Sequence, residues 1–141
     1  MSSRSMIVLQ LLLVLPLFTR CADDDGGTEA DRKGVGAECS KNEDCLQEVD
    51  CETAPCVTQI CLTGFKGGYC GVVGCTKNSE CPGGSACVAY DDGKNYCFRQ
   101  CADKAECNRN RSVTHESNCS SNQTFVEAST SGKACVPPSG G

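Results

Sequence analysis

The chain has 141 residues, 15 of them cysteine, and 18 acidic against 13 basic side chains give it a net charge of −5. Such a cysteine share marks a disulfide scaffold in an oxidising compartment, while Ile, Leu, Val, Phe and Tyr make up only about 15% of the residues after Phe18, too few for a conventional core. A Rossmann or barrel enzyme, which needs more residues and far more aliphatic surface, is excluded, and cross-links are expected to replace hydrophobic burial.

Arg4 and the amino terminus precede an apolar run over residues 6–18, interrupted only by Gln10 and Pro16. Its length suits the core of a signal peptide and is too short to span a bilayer, and Pro16 argues against a buried helix. Residues 1–21 therefore read as an export signal. Cys21 stands at its end, after Leu17-Phe18-Thr19-Arg20 and before the polar Ala22-Asp23-Asp24-Asp25-Gly26-Gly27-Thr28. This junction resembles the start of a bacterial lipoprotein, in which the cysteine after the signal is acylated and a polar tether follows. Arg20 departs from the small residue of that family's motif, and Phe18 departs from its leucine. The resemblance implies a lipid on Cys21, and ordinary signal-peptidase cleavage near Cys21 or Ala22 stays open beside it. Either outcome leaves 14 cysteines, an even number that can pair internally.

Residues 22–38 read as an acidic, flexible tether. Without the first 21 residues the net charge is −7, and 11 of the acids lie within residues 23–52. There is no basic stripe to form a nucleic-acid footprint, and the Asp run lacks the ligand spacing of a calcium loop.

The remaining cysteines are Cys39, Cys45, Cys51, Cys56, Cys61, Cys70, Cys75, Cys81, Cys87, Cys97, Cys101, Cys107, Cys119 and Cys135. The phrase Cys-x5-Cys recurs at Cys39–Cys45, Cys75–Cys81 and Cys101–Cys107, each time with a polar centre and an acid just before the second cysteine. Tyr69-Cys70 and Tyr96-Cys97 close the first two units. The chain thus divides into units 39–70, 75–97 and 101–135, with six, four and four cysteines, each even in number.

Secondary structure is expected to be sparse. Each Cys-x5-Cys loop makes one helical or irregular turn, and residues 57–62 form a short strand turning at Gly64. Residues 86–90 and 95–98 flank Asp91-Asp92-Gly93-Lys94 and form a β-hairpin, because Asp-Gly tolerates the positive φ that a tight turn needs. A similar hairpin is expected to join 124–128 to 133–136 around Ser131-Gly132. The expected fold is small, disulfide-rich and irregular, with short β-hairpins in tandem cysteine-rich units.

The middle unit, Cys75-x-x-Asn78-x-x-Cys81-Pro82-Gly83-x-x-x-Cys87, resembles the second half of a whey-acidic-protein (four-disulfide core) domain over about 13 residues, without that family's adjacent cysteine pair or its inhibitory half. The resemblance implies bonds from Cys75 to Cys87 and from Cys81 to Cys97. The same order ties the Cys-x5-Cys loop across the hairpin, whose strands carry Cys87 and Cys97, and it would be repeated as Cys101 with Cys119 and Cys107 with Cys135. Such crossing bridges would leave Pro82, Gly83, Gly84 and Ser85 constrained and exposed as a candidate binding loop. As a whole the chain is similar to cysteine-rich lipoproteins of myxobacterial type, with an export signal, an acidic tether and repeated Cys-x5-Cys units.

Other chemistry is thinly supported. His115 is the only histidine and lies in a polar stretch read as exposed loop, so no catalytic residue is assigned. No Cys-x2-Cys occurs to ligate zinc or exchange thiols, so neither metal nor cofactor is expected. Asn110, Asn118 and Asn122 form glycosylation sequons that matter only in a eukaryotic source. The expected role is that of a non-enzymatic, exported binding or structural protein of the cell envelope, its partner a protein or surface ligand and its contact with membrane only through a lipid anchor. A protease inhibitor with a constrained loop and a secreted receptor ligand are the alternatives.

Overall fold

A computed structural model describes residues 27–32, 34–46 and 58–138. Six disulfides are formed among them, all in one order: Cys39–Cys61 and Cys45–Cys70, Cys75–Cys87 and Cys81–Cys97, Cys101–Cys119 and Cys107–Cys135. In the second and third units first joins third and second joins fourth; in the six-cysteine first unit the first two cysteines join the last two in the same crossing order. Cys51 and Cys56 lie outside the described residues, as do the apolar run, Cys21 and the Asp run. Cross-linking on this scale points to an oxidising extracellular environment.

Each unit repeats one local device. Its first two cysteines bracket a single turn: 3-10 turns at Asn42–Asp44 and Asn78–Glu80, and helix α2 at Lys104–Cys107. The acid before the second cysteine folds back to the amide that follows the first. Asp44 accepts from Ser40 N–H at 2.8 Å, Glu80 from Thr76 N–H at 2.7 Å and Glu106 from Ala102 N–H at 2.8 Å. Those amides are the main cause holding the Asp44 and Glu80 carboxyls below their ordinary range. In the first two units the central asparagine then reaches the cysteine bonded to the first, Asn42 Oδ1 accepting from Cys61 N–H at 3.0 Å and Asn78 Oδ1 from Cys87 N–H at 2.9 Å. Lys104 replaces that asparagine in the last unit, where Asp103 caps the turn through Glu106 N–H instead.

The last two cysteines of each unit lie directly opposite each other on antiparallel strands. Strand β1 (Ile60–Cys61) pairs with β2 (Cys70–Val73), placing Cys61 across from Cys70. Strand β3 (Ser85–Ala89) pairs with β4 (Asn95–Arg99), placing Cys87 across from Cys97. Strand β5 (Asn118–Ser120) pairs with β7 (Ala134–Val136), placing Cys119 across from Cys135. Facing cysteines share one side of the ladder, so each can take one sulfur of the turn laid against it.

The units share their sheet and their core. With β6 (Thr124–Phe125), the five-stranded order is β1-β2-β4-β3-β6, so strands of all three units lie side by side. The expected hairpin between 124–128 and 133–136 is not formed: β6 pairs with β3 and β7 pairs with β5. Cys135 has to meet Cys107, which carries β7 to β5 and frees β6 for the open edge of β3. The expected strand at 57–62 is confined to Ile60–Cys61 within the described residues.

Aromatic packing also exceeds the sequence expectation. Phe65, Tyr69, Tyr96 and Phe98 are buried together with Val35, Leu62 and Val88, and Tyr90 packs against them. Phe65 sits among the others, with ring centroids 5.3–6.1 Å from Tyr69, Tyr90, Tyr96 and Phe98 in edge-to-face contact. A few large rings thus supply burial that the low aliphatic content seemed to deny.

The flexible tether expected at 22–38 is corrected for its described part. Residues 29–32 form helix α1 (Glu29–Arg32), and Ala30 and Val35 are 0% and 1% exposed. Beyond α1 the segment pairs with Cys70, whose carbonyl accepts from Gly36 N–H at 2.9 Å and whose amide donates to Ala37 O at 3.0 Å. Acidic composition misled here because Asp31 is paired rather than solvated: it bonds the Arg99 guanidinium, 8% exposed, with Arg109 3.8 Å away. Burial would raise the Asp31 carboxyl, but Thr28 and the two guanidiniums hold it below the ordinary range. Asp31→Ala is expected to cost about 1–2 kcal/mol, because the Arg99 charge loses its partner. It should also make the bonds around residues 27–38 cleavable by protease in otherwise native protein; unchanged protection would show that this segment is held by its apolar contacts alone.

Candidate functional site

The proposed binding loop, Pro82 to Ser85, is exposed only in part: Gly83 is exposed and Gly84 half-buried, while its two ends are covered. Pro82 is fully buried and Ser85 is 5% exposed. The N-terminal segment lies against the glycines: Gly83 N–H donates to Glu29, and Ala30 N–H donates to Gly83 O at 2.6 Å. Gly84 has φ +91°, and a Cβ there would lie 2.3 Å from Thr28 Oγ1, so the segment rests on a position only glycine leaves open. The N-terminal segment therefore braces one side of this loop.

His115 is likewise not a free loop residue. Its side chain is 30% exposed, its ring packs on Gly67, and Nδ1 contacts Glu38 Oε1 at 2.6 Å and Ser112 Oγ at 3.2 Å. Serine, histidine and carboxylate thus meet, but both partners address Nδ1. A proton relay needs the nucleophile and the carboxylate on opposite ring nitrogens, so this arrangement is a clasp between the N-terminal segment and the last unit. Arg111 reinforces it, donating to the carbonyls of Gly36, Gly68, Lys66 and His115 at 2.6–3.0 Å.

The Ser112 amide first, and His115 next, hold the Glu38 carboxyl down at about 2 from 4.5. A depressed acid stabilises the fold above its unfolded value and loses that contribution as pH falls through its folded one. Unfolding free energy should therefore decline between about pH 4.5 and pH 2, and Glu38→Gln should flatten that decline. Denaturant titrations at stepped pH will check this, and an unaltered slope in the variant would assign the acid sensitivity elsewhere. The partial exposure of Glu38 keeps the effect modest.

Three cysteine sulfurs lie within 4.8 Å of one another in each unit, at Cys39, Cys45 and Cys70, at Cys75, Cys81 and Cys97, and at Cys101, Cys107 and Cys135. All of these sulfurs are bonded in disulfides. A metal would need them as thiolates, so the clusters are two stacked cross-links. The sequon residues Asn110, Asn118 and Asn122 are all exposed.

A concave surface lies at the turn of the β3–β4 hairpin, in a groove of about 630 Å³. Phe65, Tyr90 and Tyr96 form one side, and Ile60, Leu62 and Val73 continue it. Asp91, Asp92 and Lys94 of the hairpin turn stand at the groove together with Thr63. Tyr90 N–H donates to Lys94 O at 2.9 Å and Gly93 takes φ +80°, the positive value read from the Asp-Gly pair. Asp92 is held on both oxygens, Oδ1 accepting from Lys94 N–H at 3.0 Å and Oδ2 from the Tyr96 hydroxyl at 2.6 Å. The Tyr96 bond is the main cause keeping the Asp92 carboxyl below its ordinary range, while burial and then Asp92 push the Tyr96 phenol up to about 12. The pair is thus a fixed carboxylate and a fixed phenol at ordinary pH.

Sequence reasoning placed the hairpin but not the groove. Tyr90 and Tyr96 belong to the middle unit, whereas Leu62 and Phe65 come from the loop after β1, and only the shared sheet brings them together. The signal available was the concentration of aromatic residues: outside the export signal, the chain's tyrosines and phenylalanines are Phe65, Tyr69, Tyr90, Tyr96, Phe98 and Phe125. No helix among the described residues is long and apolar enough to cross a membrane. In comparisons with known proteins, no family model matches the chain, and no curated protein or solved structure matches it significantly.

Proposed function

We propose that this is a non-enzymatic, exported binding protein of the cell envelope, anchored through a lipid on Cys21, whose disulfide-braced sheet presents the groove beside the β3–β4 turn as its recognition surface. The observation that carries the reading is the groove itself, an aromatic wall with a few placed polar groups, which is how ligand sites are generally built. Its hairpin wall stands on strands clamped by Cys75–Cys87 and Cys81–Cys97, so that wall loses little conformational freedom when occupied. A fragment screen by NMR on the oxidised protein tests it: chemical-shift changes should gather at Phe65, Tyr90 and Tyr96. Hits spread evenly over the surface would remove the groove from consideration. The anchor is tested separately, since Cys21→Ser should move the protein from the membrane fraction to the soluble one. A soluble wild type beginning at Ala22 or Asp23 would replace the anchor with ordinary secretion.

A further inference from the structure

We propose that the groove receives the side chain of a lysine carried on an extended, basic segment of a protein partner, an inference that rests on the groove being the binding surface. Phe65, Tyr90 and Tyr96 stand at 70–83° to one another, with centroids 5.3–6.0 Å apart. Phe65 and Tyr96 are 6% and 5% exposed, so the π surface open to the groove is chiefly that of half-buried Tyr90, backed by the other two rings, and the ring quadrupole attracts cations. The Tyr96 hydroxyl donates to Asp92 at 2.6 Å, which leaves more electron density on that ring. Asp91 and Asp92 add carboxylates at the same place, both on exposed turn residues.

The apolar part of the groove suits the rest of a lysine. Val73, 41% exposed, and half-buried Ile60 offer surface to the methylenes while the ammonium reaches the acids. About 630 Å³ exceeds one side chain and accommodates neighbouring residues of an extended segment. The chain's net charge of −5 favours the approach of a basic partner.

Lys94 supplies the discriminating feature. It is the one basic residue lining the groove, and its ammonium opposes a docked cation. Removing that charge strengthens a lysine occupant and leaves a neutral one unaffected. An uncharged apolar side chain would use the same rings but be indifferent to Asp91 and Lys94.

The test titrates oxidised protein with two blocked pentapeptides, Ala-Ala-Lys-Ala-Ala and the same peptide with norleucine at the centre, following the ring resonances of Phe65 and Tyr90. The lysine peptide should bind about fivefold more tightly or better, and its affinity should fall as salt is raised. Lys94→Gln should tighten it about threefold and Asp91→Asn weaken it about threefold; both residues are exposed on the turn, so the fold survives the changes. Equal binding of the norleucine peptide, or a lysine affinity untouched by Lys94→Gln, overturns the lysine assignment while leaving the groove as a binding surface. If neither peptide moves the resonances, the groove reading fails together with this one.

Discussion

Replacing Cys107 and Cys135 together by serine is expected to destabilise the protein by about 3.5 kcal/mol, the chain-entropy value for so long a loop. Their separation of 28 residues is the largest of the six described bonds. The bond also does more than close a loop. It brings β7 beside β5, and β7 in turn bridges to Gln100 through Ala134 and supplies the Cys135 carbonyl to Tyr69. Both sulfur-bearing residues are buried, at 4% and 0% exposure, so the serine hydroxyls gain no water in return. For a domain of this size the midpoint of thermal unfolding should fall by about 15–25 °C. Calorimetry on the double variant checks it, and a drop of less than about 5 °C would mean that β7 is held by packing alone. The double change is preferred to a single one because a lone thiol beside five intact bonds would invite exchange.

Tyr69→Phe removes one oxygen and is expected to cost about 2–3 kcal/mol. Tyr69 is 0% exposed, and its hydroxyl accepts from Arg99 N–H at 3.1 Å while donating to Cys135 O at 3.2 Å. Burial keeps the phenol protonated far above its ordinary range, so it always serves as both donor and acceptor. Phenylalanine fills the same space but leaves the Arg99 amide buried without its acceptor. Tyr96→Phe is the internal comparison: the Tyr96 hydroxyl meets exposed Asp92, where water can substitute, and the loss should stay near 1 kcal/mol or below. Chemical denaturation of both variants separates the two cases. Equal costs would show that the link from Tyr69 to β7 contributes nothing special.

Both effects concentrate where the three units meet, and there the chain was hardest to read. The Cys-x5-Cys phrase announced three repeats, and the hairpin around Asp91-Asp92-Gly93-Lys94 was legible from its turn residues, since positive φ at Gly93 is a local property. The acid before each second cysteine was visible as a pattern. Its role, accepting the amide after the first cysteine, needed the turn's geometry. Residues 27–38 looked like solvent-exposed tether because acids dominate them, yet Asp31 and Glu38 are directed at Arg99 and His115, which lie 68 and 77 residues away in sequence. No local pattern carries that information. The same holds for the groove, whose rings come from two units, and for the contact of Gly83 and Gly84 with a segment more than 50 residues earlier in the chain.

The sequence by itself determined the class of molecule: cysteine content and spacing dictate a cross-linked scaffold, the repeated phrase dictates its module, and the Asp-Gly turn dictates its best hairpin. These are short-range or compositional facts, and they survive any arrangement of the modules. Tertiary structure alone decided that β6 joins β3 rather than β7, that the modules share one five-stranded sheet, and that the acidic N-terminal segment packs against Arg99 and the glycines of the middle unit. The physical reason is that each module closes its described disulfides within itself but does not complete its burial. Its few large rings find cover only against those of another module, and that long-range requirement, absent from any single stretch of sequence, sets both the core and the groove beside it.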